Sequence, residues 1–167
     1  MAHKIEETFA AIEPEFRARV ERMVWCSVAT VDEHNRPVSR VLHPIWDTID
    51  GQPVAWIATY RHSAKSRHLA QNPYVSMAYV AEWQTPLYVD GIASWDDDLA
   101  AKAHVWGLFL AAPEPLGYDP APLFGGPENP QFVVLRLTPS RIALVEFPAP
   151  PGKVLIWRPS DAGQCAL

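Results

Sequence analysis

The chain has little cysteine: Cys26 and Cys165 are its only two, with no metal-like spacing between them. No thiolate metal motif is available to it, and a reduced, cytoplasmic setting is expected. It has no run of about 18 apolar residues, so no membrane-spanning helix is expected. Its first residues, "MAHKIEETFAAIEPEF", are charged and amphipathic, without the apolar core of a secretory signal. It also lacks a basic surplus: 14 Lys and Arg stand against 19 Asp and Glu, a net charge of −5. Nucleic acid is therefore not the expected partner, because neutralising its phosphates takes a broad basic surface. There is no G-x-S-x-G elbow, P-loop, G-x-G-x-x-G or H-E-x-x-H. The six histidines are scattered without ligand spacing, and no metal site is expected. Asp96, Asp97 and Asp98 resemble an acid cluster but stand where a helix needs caps, and are read as caps.

What is present has globular texture, 49% hydrophobic and 20% charged over 167 residues, enough for one well-buried domain and too short for two. Ile5, Phe9 and Ile12, then Phe16, Val20 and Met23, recur at helical spacing on either side of Pro14. This predicts two short amphipathic helices within residues 1–22. From Val24 the texture becomes β. "VWCSVATV", "PVSRVLHPIW" and "PVAWIAT" read as a three-strand meander, turning at "DEHNRP", where Asn35 suits a left-handed conformation, and at "TIDGQ". "SAKSRHLAQ" reads as a short helix with Ser63 as N-cap and Pro73 beyond its end. "YVSMAYVA" and "PLYVDGIASW" are two further strands. "DDDLAAKAHVWGLFLAA" is a helix with Leu99, Ala103, Trp106 and Leu110 as its apolar stripe. A Pro- and Gly-rich loop covers residues 113–130. "QFVVLRL" and "RIALVEF" read as two strands turning through Pro139 and Ser140, and "KVLIW" and a polar tail follow. Many short strands with few helices between them predict a mainly β fold, an antiparallel barrel with peripheral short helices.

Against the overall acidity, "ATYRHSAKSRHLAQNP" (58–73) is a basic island, with Arg61, His62, Lys65, Arg67 and His68 close together. A strand ending in Thr59, a tight turn, then Ser63 and Lys65 at a helix start suits an anion, because free N–H groups and the helix dipole point there. A solvated basic helix capped by Ser63 fits the same residues. Arg40 adds weight to the anion, since it lies in the middle of the apolar strand "VSRVLHPIW", where an unpaired charge is costly. Either a carboxylate or a ligand must answer it.

Taken together, "PVSRVLHPIW", "VAWIATYRHSAKSRHLAQNPYVSMAYV" and "LYVDGIASW" resemble the flavin-binding split-barrel superfamily. Pyridoxamine 5′-phosphate oxidase is its best-known member, and the likeness to its general-stress-protein branch is closer still. The ordered set is Arg40 in one strand, Thr59 ending the next, Ser63 and Lys65 four and six residues later, and Asn72-Pro73 closing the helix. The likeness covers residues 22–96, and "GGPENPQFVVLRLTPSRIALV" resembles the closing strands.

The resemblance implies a six-stranded antiparallel split β-barrel, with residues 1–167 forming a single flavin-binding domain. It implies a homodimer with FMN at the shared interface. By carry-over, Arg40 and Lys65 hold the FMN phosphate with help from Ser63. The backbone at Val41 and Leu42 faces the isoalloxazine ring, which Thr59 and Tyr60 border. The implied activity is that of a flavin-dependent oxidoreductase acting on a small molecule, with the cofactor carrying the redox chemistry and no catalytic side chain assigned. Other members of the fold use a deazaflavin coenzyme or haem, and a flavin-binding sensor or storage protein without turnover is a further reading. The sequence departs from the pattern in two places. Ala64 stands where an Arg is usual, with Arg61 and Arg67 as nearby substitutes. The oxidase's substrate residues are missing, since no Lys lies between Arg40 and Asp47 and no Arg-x-His pair occurs in "VLIWRPSDAGQCAL", where Arg158 is the one basic residue.

Overall fold

The alternation of apolar and polar residues from Cys26 onward builds a single connected sheet. A computed structural model describes residues 2–147 and 152–160 of the chain; most of the polar tail, with Cys165, lies outside them. The strands are β1 (Ala2–Glu6), β2 (Cys26–Val31), β3 (Pro37–Leu42), β4 (Ile45–Ile49), β5 (Gln52–Thr59), β6 (Tyr74–Tyr79), β7 (Leu87–Asp96), β8 (Val133–Glu146) and β9 (Lys153–Trp157). The helices are α1 (Glu13–Met23), α2 (Ala64–Gln71), α3 (Leu99–Ala111) and α4 (Ala121–Phe124), the last inside the Pro- and Gly-rich loop. No helix among the described residues is long and apolar enough to cross a membrane.

Pairing runs β6–β2–β3 on one side and β4–β5–β8–β7–β6 on the other, all antiparallel, with β3 and β4 joined end to end through His43-Pro44. Counting that bent pair as one strand, six strands ring the core, as the split-barrel reading expects. Inside it pack Phe16 from α1 with Val28, Trp46, Ile57, Met77, Leu87, Leu137 and Leu144. A second cluster lies between α3 and the outer side of β5 and β8, built on Val105, Phe109, Trp56, Phe124, Phe132 and Val134.

Several expectations are corrected. Residues 1–22 do not form two helices: Ala2–Glu6 is an edge strand lying parallel to β9, Phe9–Ala11 is one 3-10 turn, and only α1 is α-helical. So short a segment cannot carry the cost of helix nucleation, and β9 offers it an open edge. Among the described residues this is the one parallel pair; the others are antiparallel. "PVSRVLHPIW" breaks in two, because Pro44 has no N–H to continue a ladder, so the meander is really two hairpins, β2–β3 and β4–β5. On α3 the buried side is Lys102, Val105 and Phe109, with the Phe109 ring 4.7 Å from that of Tyr118, while Leu99 and Leu110 are exposed.

The turn expected at Pro139 and Ser140 is instead a bulge within the continuous β8. Asp90 pairs with Arg141 and Gly91 with Pro139, which leaves Ser140 as the extra residue. Its hydroxyl donates to the Asp90 carbonyl at 3.2 Å. Proline is tolerated there because a bulge needs no ladder donor. The backbones approach so closely that a Cβ on Gly91 would lie 2.5 Å from the Thr138 carbonyl oxygen. Gly91→Ala should therefore lower stability by about 1–3 kcal/mol in urea denaturation; an unchanged midpoint would show that β7 and β8 can separate freely at the bulge.

Candidate functional site

The buried side of β2 presents Cys26, Val28 and Thr30, so Thr30 brings a hydroxyl to an otherwise apolar row. Arg40 lies opposite Val28 in the β2–β3 register. Its Nη1 donates to the Val28 carbonyl at 3.1 Å and to Thr30 Oγ1 at 2.7 Å. The same Thr30 oxygen lies 2.9 Å from Nδ1 of His68, a buried residue of α2. At the start of α2, Lys65 is buried, and its Nζ donates to Ser63 Oγ at 3.1 Å. Ser63 holds the N-cap position, but its side chain makes no capping bond; it is turned toward Lys65 and Ser66 instead.

Burial holds the Arg40 guanidinium below its ordinary pKa. Burial first, and then the charge of Arg40, hold the Lys65 ammonium below its own. The two cations thus feel each other, and among the described residues neither forms an ion pair. Arg17, Arg19, Arg22, Arg36, Arg61 and Arg141 all do. Like charges out of water and without a counter-charge are costly unless something anionic joins them. The eight-residue α2 starts at Ala64, so Lys65 stands in its first turn, where a helix leaves N–H groups free.

Along the end of β3, starting at the residue after Arg40, lies a cleft of about 380 Å³ walled by Val41, Leu42, Ala58, Tyr118 and Phe124. Val41 is 65% exposed. Thr59 is buried at the end of β5, whereas Tyr60 is exposed, with its hydroxyl donating to the Leu123 carbonyl at 3.1 Å and its ring 5.0 Å from Phe124. The structure therefore gathers Arg40, Ser63 and Lys65 at one end, sets Val41 and Leu42 along the cleft, and ties Tyr60 to α4. Arg61 does not join the cations. It pairs with Asp97 at 3.1 Å and lies 4.6 Å over the Trp95 ring, so one aspartate read as a cap is an ion-pair partner instead. Asp98 does occupy the N-cap position of α3, without a side-chain capping bond. Ala64, Arg67 and Arg158 are exposed. No group of three or more His, Cys, Asp or Glu suited to a metal occurs among the described residues. Sequence reasoning missed Thr30, and placed His68 in the basic island without its link to Thr30. The available signal was a lone hydroxyl on the buried face of "CSVATV".

This closed ring of strands, with a cation pair at a helix start, defines the protein as a split β-barrel. Residues 12–146 match the sequence profile of pyridoxamine 5′-phosphate oxidase, and the chain belongs to that family. No curated protein matches it by sequence. Among solved structures it is similar to a pyridoxamine 5′-phosphate oxidase-related, FMN-binding protein from Nostoc punctiforme (16% identity, 92% of this chain and 93% of that one, TM-score 0.67). It is similar to a protein from Clostridium acetobutylicum related to general stress protein 26 (16% identity, 86% and 93%, TM-score 0.64). General stress protein 26 from Bacillus anthracis is a third (21% identity, 80% and 92%, TM-score 0.60). At these identities the likeness is one of fold.

Thr30 links Arg40 to His68, so Thr30→Val should destabilise the protein by about 1–3 kcal/mol through the polar groups left unpaired, despite the better β propensity of valine. Urea denaturation reads this; an equal or higher midpoint would mean that Arg40 is held without the hydroxyl.

Proposed function

We propose that the protein binds FMN and acts as a flavin-dependent oxidoreductase on a small molecule. The observation that carries this reading is the pair Arg40 and Lys65, near enough to feel each other's charge, partly removed from water and without an acid partner among the described residues. A phosphate dianion supplies the missing counter-charge, and charge-assisted bonds of this kind are the strong ones. Arg40 would hold it as a two-pronged donor, steadied from behind by Thr30 and His68, and Lys65 as a point charge steadied by Ser63. The β3 backbone at Val41 and Leu42 then offers the ring an edge to lie along, and Thr59 and Tyr60 close its border. Bound flavin would supply the electron transfer; the chain supplies grip, orientation and a water-poor cleft. Arg61, committed to Asp97 and Trp95, does not widen the basic region into a groove for the acidic tail of a deazaflavin, which favours FMN.

The site reads as shared between two copies. The outer face of the sheet places Val41, Tyr74, Tyr88 and Ile92, all exposed, around the small residues Ser27, Ala29, Ser76 and Ala78. Asp90, ion-paired to Arg141, lies between Tyr88 and Ile92 on this face. A face of small central residues with exposed aromatic and aliphatic side chains and one internally paired charge suits a second copy of the chain. A homodimer there would cover the cleft's open side at Val41. A cytoplasmic setting suits Cys26, a buried free thiol whose pKa burial pushes up to about 12. The substrate is not expected to carry a phosphate of its own: between Arg40 and Asp47 there is no lysine, and Arg158 stands exposed beyond β9.

Lys65→Ala and Arg40→Ala should each weaken FMN binding about ten- to a hundredfold. Lumiflavin, which has no phosphate, should bind both variants as it binds the parent. Fluorescence titration decides; variants that titrate FMN like the parent would leave the cations as a solvated structural feature.

A further inference from the structure

His43, at the corner between β3 and β4, sits among three aromatic rings. Their centroids lie at 4.7 Å for Trp25, 5.4 Å for Phe109 and 5.4 Å for Tyr118. Burial holds the imidazole below its ordinary pKa of 6.5, against an upward pull from the Leu116 backbone. The ring is therefore neutral at about pH 7. Protonation would make both ring nitrogens donors, yet Nε2 is buried and has no partner to donate to. An imidazolium is disfavoured here twice, for its charge and for its unanswered N–H. The closed cage accepts only the neutral ring.

No charge on the packed elements offsets this. Among the described residues that line the cleft there is no Lys, Arg, Asp or Glu. From α3 the facing ring is Phe109, which does not titrate. From the loop beyond it comes Tyr118, whose phenol is pushed further up by burial and then by Tyr60, and so stays neutral in acid. Asp119 beside it accepts from the Ala121 N–H. Glu21 and Glu114 line a separate groove that shares only Pro115 with the cleft. Arg22, ahead of Trp25, pairs with Glu82, and Arg40 on β3 is engaged by Thr30.

Trp25 is the wall free to move: of the three rings it is the most exposed, at 58%, against 1% for Phe109. It is set over His43 by Val24, with φ 53° and ψ −62°, at the centre of a three-residue turn closed from the Trp25 N–H to the Met23 carbonyl. A β-branched residue at positive φ is a true outlier, and this turn is rare and strained. Such strain persists only while surrounding contacts outweigh it, and switch regions are among the places that store it. Here the outweighing contact is the packing of the indole on a neutral His43. We propose that Trp25 and His43 form a proton-operated gate: taking up a proton turns His43 out of its cage, releases the strained turn and opens this end of the cleft. Each pH unit below 6.5 shifts the balance about tenfold toward the open form, until the caged ring itself titrates. The gate is shut at neutral pH and above, and opens as the pH falls. As control over a flavin site this rests on the flavin reading above; as a moving part it rests on the cage alone.

Proton NMR of the full chain without flavin, titrated from about pH 8 to about pH 5, tests it. The Trp25 indole N–H and the His43 ring protons, assigned by comparison with Trp25→Ala and His43→Phe, should move together with one midpoint below 6.5. In His43→Phe, which keeps an aromatic ring, the indole signal should stay still across the range. In Trp25→Ala, at an exposed position, the His43 midpoint should rise toward 6.5, because water then reaches the ring. An indole that does not move in the parent, an indole that still moves in His43→Phe, or a His43 midpoint unaltered in Trp25→Ala would overturn the proposal. FMN uptake, read separately from the flavin absorption band, reports on the flavin reading. A chain that takes up no FMN while indole and imidazole titrate together would keep the gate and lose the flavin.

Discussion

Arg40 and Lys65 put two positive charges near each other, partly out of water, with no carboxylate among the described residues paired to either. Much of the surrounding architecture holds them there. Arg40 is fixed by the β2–β3 register, which sets it against Val28 and Thr30. Lys65 is fixed by the turn between β5 and α2, whose Ser63 faces the ammonium instead of capping the helix. His68 lies within the same helix and binds the hydroxyl that holds Arg40, so α2 and β2 are coupled through one oxygen atom. Removing an anion from such a site leaves each cation worse off than in water, which is why an anion is the natural completion.

The barrel turns this local requirement into a site with two ends. β3 cannot run on past His43 because Pro44 offers no donor, so the chain bends, and the bend opens the cleft along Leu42 and His43. The face of β5 that carries Ala58, with Tyr118 and with Phe124 of α4, forms the far wall. Charge is confined to one end and aromatic surface to the other. A molecule with an anionic tail and a flat ring system is matched to both ends at once, and FMN has that shape.

Much of this was legible in the residues. The run from Thr59 to Pro73 carries its own strand end, helix start and helix stop, and a charged residue inside an apolar strand marked Arg40. These signals are local, so the sequence could display them. What it could not display depends on partners far along the chain. Whether Ala2–Glu6 coils or pairs is decided by β9, some 150 residues away. Whether Pro139 and Ser140 turn or bulge is decided by the close approach of Gly91. On α3 the side bearing Val105 and Phe109 is selected by the outer side of β5 and β8, distant in sequence, and by Tyr118. The link between Thr30 and His68 was hidden for the same reason: each is unremarkable alone and becomes polar machinery only when β2 and α2 meet.

The most direct test of the account is a crystal structure of the protein grown with FMN. The phosphate oxygens should lie about 2.7–3.2 Å from the Arg40 guanidinium and from Lys65 Nζ, with the ring along Val41 and Leu42 and a second copy of the chain covering the Val41 face. A phosphate seated instead among Arg61, His62 and Arg67, with Arg40 and Lys65 still making only the contacts described above, would contradict it.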